Sequence, residues 1–251
     1  MTAAKAGVMK TLRQFGARLQ KWQESAREPG LTALLIIEVS LIFVAVPLAG
    51  MGVIPEMVVP ALFVLLVIAI LAVTSRSHVA AGLVLVAVAL SPFGVLVHAE
   101  DPSVLTVWLS AIGRLLALAA LSYVIAKAVF GPGRVTLHRV QGAIVLYMNF
   151  ALLFFVVYRL LDTLIPKAFT GPGLPPAGTE FGSGAALLYF SFSTLTTAGF
   201  GDITPVHPLA RNLANVESMI GQLYPATLLA RLVSLELEHR RQPKSHQRGM
   251  I

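Results

Sequence analysis

Thr194-Leu-Thr-Thr-Ala-Gly-Phe-Gly-Asp202 lies between long apolar segments, and its reading decides what kind of molecule the chain forms. Gly199 and Gly201 alternate with Ala198 and Phe200 at the end of a short apolar run, about residues 184–197. Glycine enters backbone conformations that other residues resist, so successive peptide groups here are free to turn their carbonyls to one side. The apolar run is too short to cross a bilayer, which takes about 20 residues. It fits a helix that enters the membrane part-way and ends at Gly-Phe-Gly. Such backbone is tolerated at membrane depth only where protein or water surrounds it.

The rest of the chain supports a membrane setting. Apolar residues make up 56% and charged residues only 12%, against about a quarter charged in soluble proteins. The expected fold is an all-α integral membrane protein. There is no cysteine, which excludes disulfides, thiolate metal sites and a cysteine nucleophile. Residues 1–28 hold no continuous apolar core, so they do not read as a secretory signal. Five stretches are long and apolar enough to span, at about 31–50, 53–74, 79–98, 104–130 and 141–165. A sixth, about 209–235, is more polar but long enough. Lys and Arg favour the cytoplasmic side. They gather in residues 1–30, at Arg76, at Arg134 and Arg139, and at Arg240, Arg241, Lys244 and Arg248. Six spans put all of these on one side, whereas five or seven would not, so both termini are expected in the cytoplasm. The net charge of +7 thus reads as membrane orientation and contact with anionic lipids at the basic ends, not as nucleic-acid binding.

The chain divides accordingly. Residues 1–30 form a basic N-terminus in which Val8, Leu12, Phe15, Leu19 and Trp22 recur at helical spacing, the pattern of an amphipathic helix lying on the membrane. Residues 31–130 form a four-helix membrane domain, 131–140 a linker opened by Gly131-Pro-Gly133, 141–239 the unit containing the Gly-Phe-Gly stretch, and 240–251 a basic tail.

Over residues 136–239, the order of span, outer loop, short helix, Thr-Thr-x-Gly-Phe-Gly-Asp-x-x-Pro and span resembles the pore domain of the potassium channel superfamily, in a prokaryotic-like six-span form. The resemblance implies a re-entrant pore helix and a selectivity filter, closed by four-fold assembly into a homotetramer in a bacterial plasma membrane. Backbone carbonyls of Thr197, Ala198, Gly199 and Phe200 would hold dehydrated potassium ions, with the Thr197 hydroxyl completing the innermost site. Gly201 would belong to the same filter, Asp202 would stand at the outer mouth, and Thr196 and Tyr189 would support it. Potassium is the only bound species expected, with no cofactor. Ala198 stands where valine is usual and Phe200 where tyrosine is usual, so a softer filter is expected. A hydrogen bond from Tyr189 to Asp202 would offset part of that. Ser183 is the expected N-cap of the short helix, whose negative C-terminal end would face the ions.

The last span carries Gly221 and Pro225. Pro225 removes the helical partner of the Gly221 carbonyl, and glycine bends easily, so a hinge is expected there, or else close helix packing at Gly221. Gln222 would face the cavity, and Glu217 would pack behind the filter. Leu229, Val233 and Leu237 form a stripe suited to a hydrophobic gate or to ordinary packing. Positions three, six, nine and twelve after Arg114 are Ala117, Ala120, Tyr123 and Ala126, so the fourth span lacks the repeated charges of a voltage sensor. Glu38 and Arg114 are charges inside spans, and an ion pair would lower the cost of both. The residues past His239 are too few for a cytoplasmic sensor domain. No nucleotide loop or histidine cluster suggests an enzyme. The expected function is a passive, potassium-selective channel without steep voltage gating. A weakly selective cation channel, a transporter subunit and a non-conducting modulatory subunit are the alternatives.

Overall fold

The computed structural model describes residues 32–55, 58, 62, 104–131, 136–171, 174 and 182–241. Helix α1 (Thr32–Gly50) contains a π turn at Leu41–Ala45. Helices α2 (Val104–Phe130) and α3 (Leu137–Leu164) follow. Strand β1 (Phe169–Thr170) precedes helix α4 (Gly182–Leu195), strand β2 (Thr204–Pro205) and helix α5 (Pro208–Arg241). The predicted amphipathic segment 8–22, the spans 53–74 and 79–98, and the tail beyond Arg241 lie outside the described residues.

Three described helices are long and apolar enough to cross a membrane: Thr32–Gly50, Val107–Lys127 and Leu137–Leu164. The predicted sixth span is a single helix of 34 residues. It is too polar to join those three, because Arg211, Asn215, Glu217, Gln222 and Arg231 fall along it.

Local chemistry accounts for the helix ends. Thr136 is extended at φ −113°, ψ 158°, and Ile165 is extended at φ −122°, ψ 99°, so α3 starts and stops between two β-region residues. In α1, Pro47 cannot supply an N–H to the ladder. The preceding turn widens to five residues, and the Val46 N–H reaches Leu41 O.

Helices α2 and α3 form the longest seam, and α1 lies over it. Leu34, Leu41 and Ala45 pack in one cluster with Leu121, Ile125, Val145 and Leu146. Ile42 packs in a second with Leu118, Met148 and Leu152. Asn149 crosses the seam, donating from Nδ2 to Leu118 O at 3.0 Å and to Ser122 Oγ at 2.6 Å. Glu38 and Arg114 do not hydrogen-bond to each other. Arg114 folds back on its own helix, to Ser110 O and Ser110 Oγ, while the fully buried Glu38 has no hydrogen-bond partner among the described residues.

Helix α1 also touches the short helix of its own chain. A Cβ on Gly50 would stand 3.3 Å from the Ala185 Cβ, and the Phe43 and Phe192 rings are 5.4 Å apart. Strands β1 and β2 pair antiparallel, Phe169 with Pro205 and Thr170 with Thr204. Val206 N and His207 N donate to Ala168 O. A Cβ on Gly171 would lie 2.4 Å from Asp202 O, so only glycine lets the loop after α3 pass this close to the end of the Gly-Phe-Gly stretch.

Candidate functional site

The site is built on the C-terminal end of α4. The helix begins at Gly182, which places Ser183 within its first turn instead of at the expected cap. A helix end normally leaves four carbonyls without partners; here each finds one. Thr196 N and Thr196 Oγ1 donate to Phe192 O, Gly199 N to Ser193 O, and Thr197 N to Thr194 O. Ser218 Oγ of α5 also donates to Thr194 O at 3.2 Å, and Tyr147 Oη of α3 donates to Leu195 O at 3.1 Å. The two flanking helices therefore hold the negative end of α4 in place through side chains. Tyr147 and Ser218 carried no signal in the sequence, because each is an ordinary polar residue on an apolar helix until the fold brings α4 beside it.

Residues 196–202 leave the helix as an exposed, irregular strand. Thr197, Gly199 and Gly201 have φ of 58°, 55° and 79°. Positive φ at every second residue is the backbone condition for neighbouring carbonyls to point to one side, since a strand of uniform φ alternates them. For Thr197, a β-branched residue, this region is strained. The residue is held by its N–H on Thr194 O, by its own hydroxyl on Thr196 O at 2.7 Å, and by Gln222 Nε2, which donates to Thr197 Oγ1 at 3.1 Å. Gln222 thus stands directly under the strand.

Asp202 and Phe200 are tied back to α4. Tyr189 Oη donates to Asp202 Oδ1 at 3.2 Å, the bond expected between them. Phe200 N donates to Ser193 Oγ at 3.3 Å. The Phe200 ring stacks on Tyr189, with centroids 5.9 Å apart and planes 11° from parallel. One tyrosine therefore meets both residues. Between α4, the strand and α5 lies an open cavity of about 310 Å³, lined by Ser193, Thr194, Asp202, Asn215 and Ser218 among others.

Besides Ser218, helix α5 packs on α4 through Glu217 and Gly221. Glu217 is fully buried and accepts from Ser191 Oγ at 2.5 Å and from Tyr158 Oη at 2.6 Å, which joins α3, α4 and α5. Its expected place behind the strand agrees with these bonds. One turn on, a Cβ on Gly221 would lie 1.7 Å from Leu195 O. Gly221 is thus where α5 crosses the end of α4, so close packing is one role of this glycine. The helix continues unbroken through Pro225. Thr227 Oγ1 donates to Leu223 O and Tyr224 O on the adjoining turn. Leu229, Val233 and Leu237 lie on the lower half of α5 and are half or more exposed, at 65%, 50% and 51%. Neither their stripe nor Gln222 is covered by the described part of the same chain.

Residues 142–237, from α3 to the lower half of α5, match a family model described as an ion channel. Protein LctB of Geobacillus stearothermophilus is 32% identical over 87 residues, which is 35% of this chain and 64% of that protein. No solved structure matches the chain. The segment holding the short helix, the Gly-Phe-Gly strand and both flanking helices is therefore similar to ion channels.

Proposed function

We propose that the chain is the subunit of a passive, potassium-selective channel that conducts as a homotetramer. The observation that carries this reading is the positive φ at Thr197, Gly199 and Gly201, in an exposed strand leaving a buried half-length helix. In the proposed assembly, carbonyls of Thr197, Ala198, Gly199 and Phe200 from four chains replace the hydration shell of the ion. The Thr197 hydroxyl forms the innermost ligand, Gly201 and Asp202 close the outer end, and Thr196 and Tyr189 brace the filter. The C-terminal end of α4, carrying partial negative charge, holds the cation before it enters.

Four copies of α5 line the inner cavity in this reading, which accounts for a helix too polar to be a lipid-facing span. Gln222 faces the cavity, and Leu229, Val233 and Leu237 form the narrow inner end. Residues 31–130 scaffold the pore without sensing voltage, 131–140 link the two parts, and the basic ends at 1–30 and 240–251 lie on the anionic cytoplasmic leaflet. No cofactor other than the permeating potassium is needed.

Purified protein in planar bilayers tests the reading. Unitary currents that reverse near the potassium equilibrium potential in mixed potassium and sodium are the expected result. Currents reversing at zero would replace it with a weakly selective cation channel, a change traceable to Ala198 and Phe200. Absence of current would favour a modulatory or transporter subunit.

A further inference from the structure

Two side chains inside the α1–α2–α3 seam are left with open hydrogen-bond acceptors. Glu38 is 0% exposed, and neither carboxyl oxygen has a hydrogen-bond partner among the described residues. Asn149, also 0% exposed, uses its amide hydrogens on Leu118 O and Ser122 Oγ, while its Oδ1 accepts nothing among those residues. Such orphaned groups are rare in folded proteins and call for an explanation.

The two groups lie within about one helical turn of each other along the seam. Thr32 Oγ1 donates to Gln141 Oε1 at 2.9 Å, which registers α1 against α3. Glu38 is then about 9 Å of helix rise past Thr32, and Asn149 about 12 Å past Gln141. Leu34, Glu38, Leu41 and Ile42 fall on one helical face. That face enters the two clusters that hold Leu118, Leu121, Val145, Leu146, Met148 and Leu152. Asn149 lies on α3 between these same residues and reaches Leu118.

Among the described residues, what these acceptors lack is a donor. An ionised carboxylate with no donor or counter-ion is the costliest form of a buried acid. One carboxyl and one amide oxygen are too few to strip a metal cation of its water, whereas a proton requires neither space nor further ligands. We propose that Glu38 and Asn149 form an intramembrane proton site, in which the neutral Glu38 carboxyl donates its hydrogen to Asn149 Oδ1 and keeps the π turn Leu41–Ala45 seated on α4. The link to α4 is short. The π turn begins three residues after Glu38, and its Phe43 meets Phe192. The helix then ends at Gly50 beside Ala185. Loss of the proton puts a charge in the seam, separates α1 from Asn149 and withdraws this brace.

Among the described residues, the other titratable groups around the seam are Arg114, Tyr123 and Lys127 on α2, His138, Arg139 and Tyr147 on α3, and Tyr224 on α5. None of them hydrogen-bonds to Glu38. Arg114 is engaged with Ser110, Arg139 with Gly131 O, Tyr147 with Leu195 O and Tyr224 with Ala143 O.

Infrared difference spectroscopy on the full-length protein tests the site without reference to conduction. At neutral pH the wild type should show a protonated-carboxyl C=O band that Glu38→Gln removes. Asn149→Leu should move that band to higher frequency. If Glu38→Gln removes only carboxylate bands, Glu38 is ionised and the proposal is overturned. An unmoved band in Asn149→Leu overturns the role of Asn149. Should that variant fail to assemble, the wild-type band decides, because a free and a hydrogen-bonded acid absorb at different frequencies. The brace on α4 rests on the channel reading and has its own measurement. Potassium flux into vesicles should fall as pH is raised until the band disappears, and should stay flat over the same range in Glu38→Gln. Equal pH responses in the two proteins would overturn the coupling while leaving the proton site standing.

Discussion

Glu38 and Glu217 are both fully buried carboxyl groups, yet their surroundings are opposite. Glu217 receives two hydroxyl donors, from Ser191 and Tyr158, and so joins three helices behind the Gly-Phe-Gly strand. Glu38 has no partner among the described residues and sits where α1 meets α2 and α3. A satisfied buried acid holds structure together; an unsatisfied one stores the means to change it. By this measure the α4–α5 region is the better satisfied frame, and the α1 seam holds the unsatisfied acid.

Glycine contacts give the largest test of that contrast. Gly221→Ala would drive a methyl group into a backbone oxygen, beyond the ordinary overpacking cost of about 1–3 kcal/mol. Loss of the assembled protein on size-exclusion chromatography is expected. Gly50→Ala needs a shift of only a few tenths of an ångström against Ala185 and should cost under about 1 kcal/mol in thermal unfolding. Equal effects would remove the distinction between frame and seam. Next come the acids themselves. Glu217→Leu strands two buried hydroxyls and should lower stability by about 3 kcal/mol, whereas Glu38→Leu gives up only the proposed bond to Asn149, about 1 kcal/mol. Both are measurable by thermal unfolding in detergent, and the reverse order would sink the comparison.

Smaller effects sharpen it. Tyr147→Phe uncaps Leu195 O and should cost about 1 kcal/mol, with a reduced single-channel conductance as the end of α4 loosens. Tyr189→Phe keeps the ring against Phe200 and loses only the exposed bond to Asp202. It should leave stability unchanged and alter the rate at which currents decay under sustained conduction. A matching change in Phe200→Tyr, with no change in Tyr189→Phe, would assign the brace to Phe200 alone.

Much of this was legible along the chain. The first, fourth and fifth spans follow from apolar length, and α2 begins and ends at the residues expected of it. The short helix before Thr196 follows from an apolar run too brief to span. Tyr189 facing Asp202, and Glu217 lying behind the strand, followed from the resemblance to the channel pore domain. Gly221 was open to two readings, because a glycine before a proline looks the same whether the helix bends or another chain segment crosses it. The crossing by Leu195 O shows the close approach, which a bend at the same residue does not exclude. The pairing of Glu38 with Arg114 was a plausible reading of two charges in apolar spans. It failed because Arg114 has a nearer partner one turn away on its own helix.

Composition and periodicity by themselves determined the membrane setting, the half-length helix and the glycine-bearing strand, since each depends on how far a run of apolar side chains extends and where glycine frees the backbone. Only the tertiary structure decided which carbonyls at the end of α4 are capped, which acid is satisfied and which is not, and that α1 rests on α4 of its own chain. Those outcomes depend on which residues from distant segments come within hydrogen-bonding reach, and that is fixed by the packing of helices against one another, not by any local pattern.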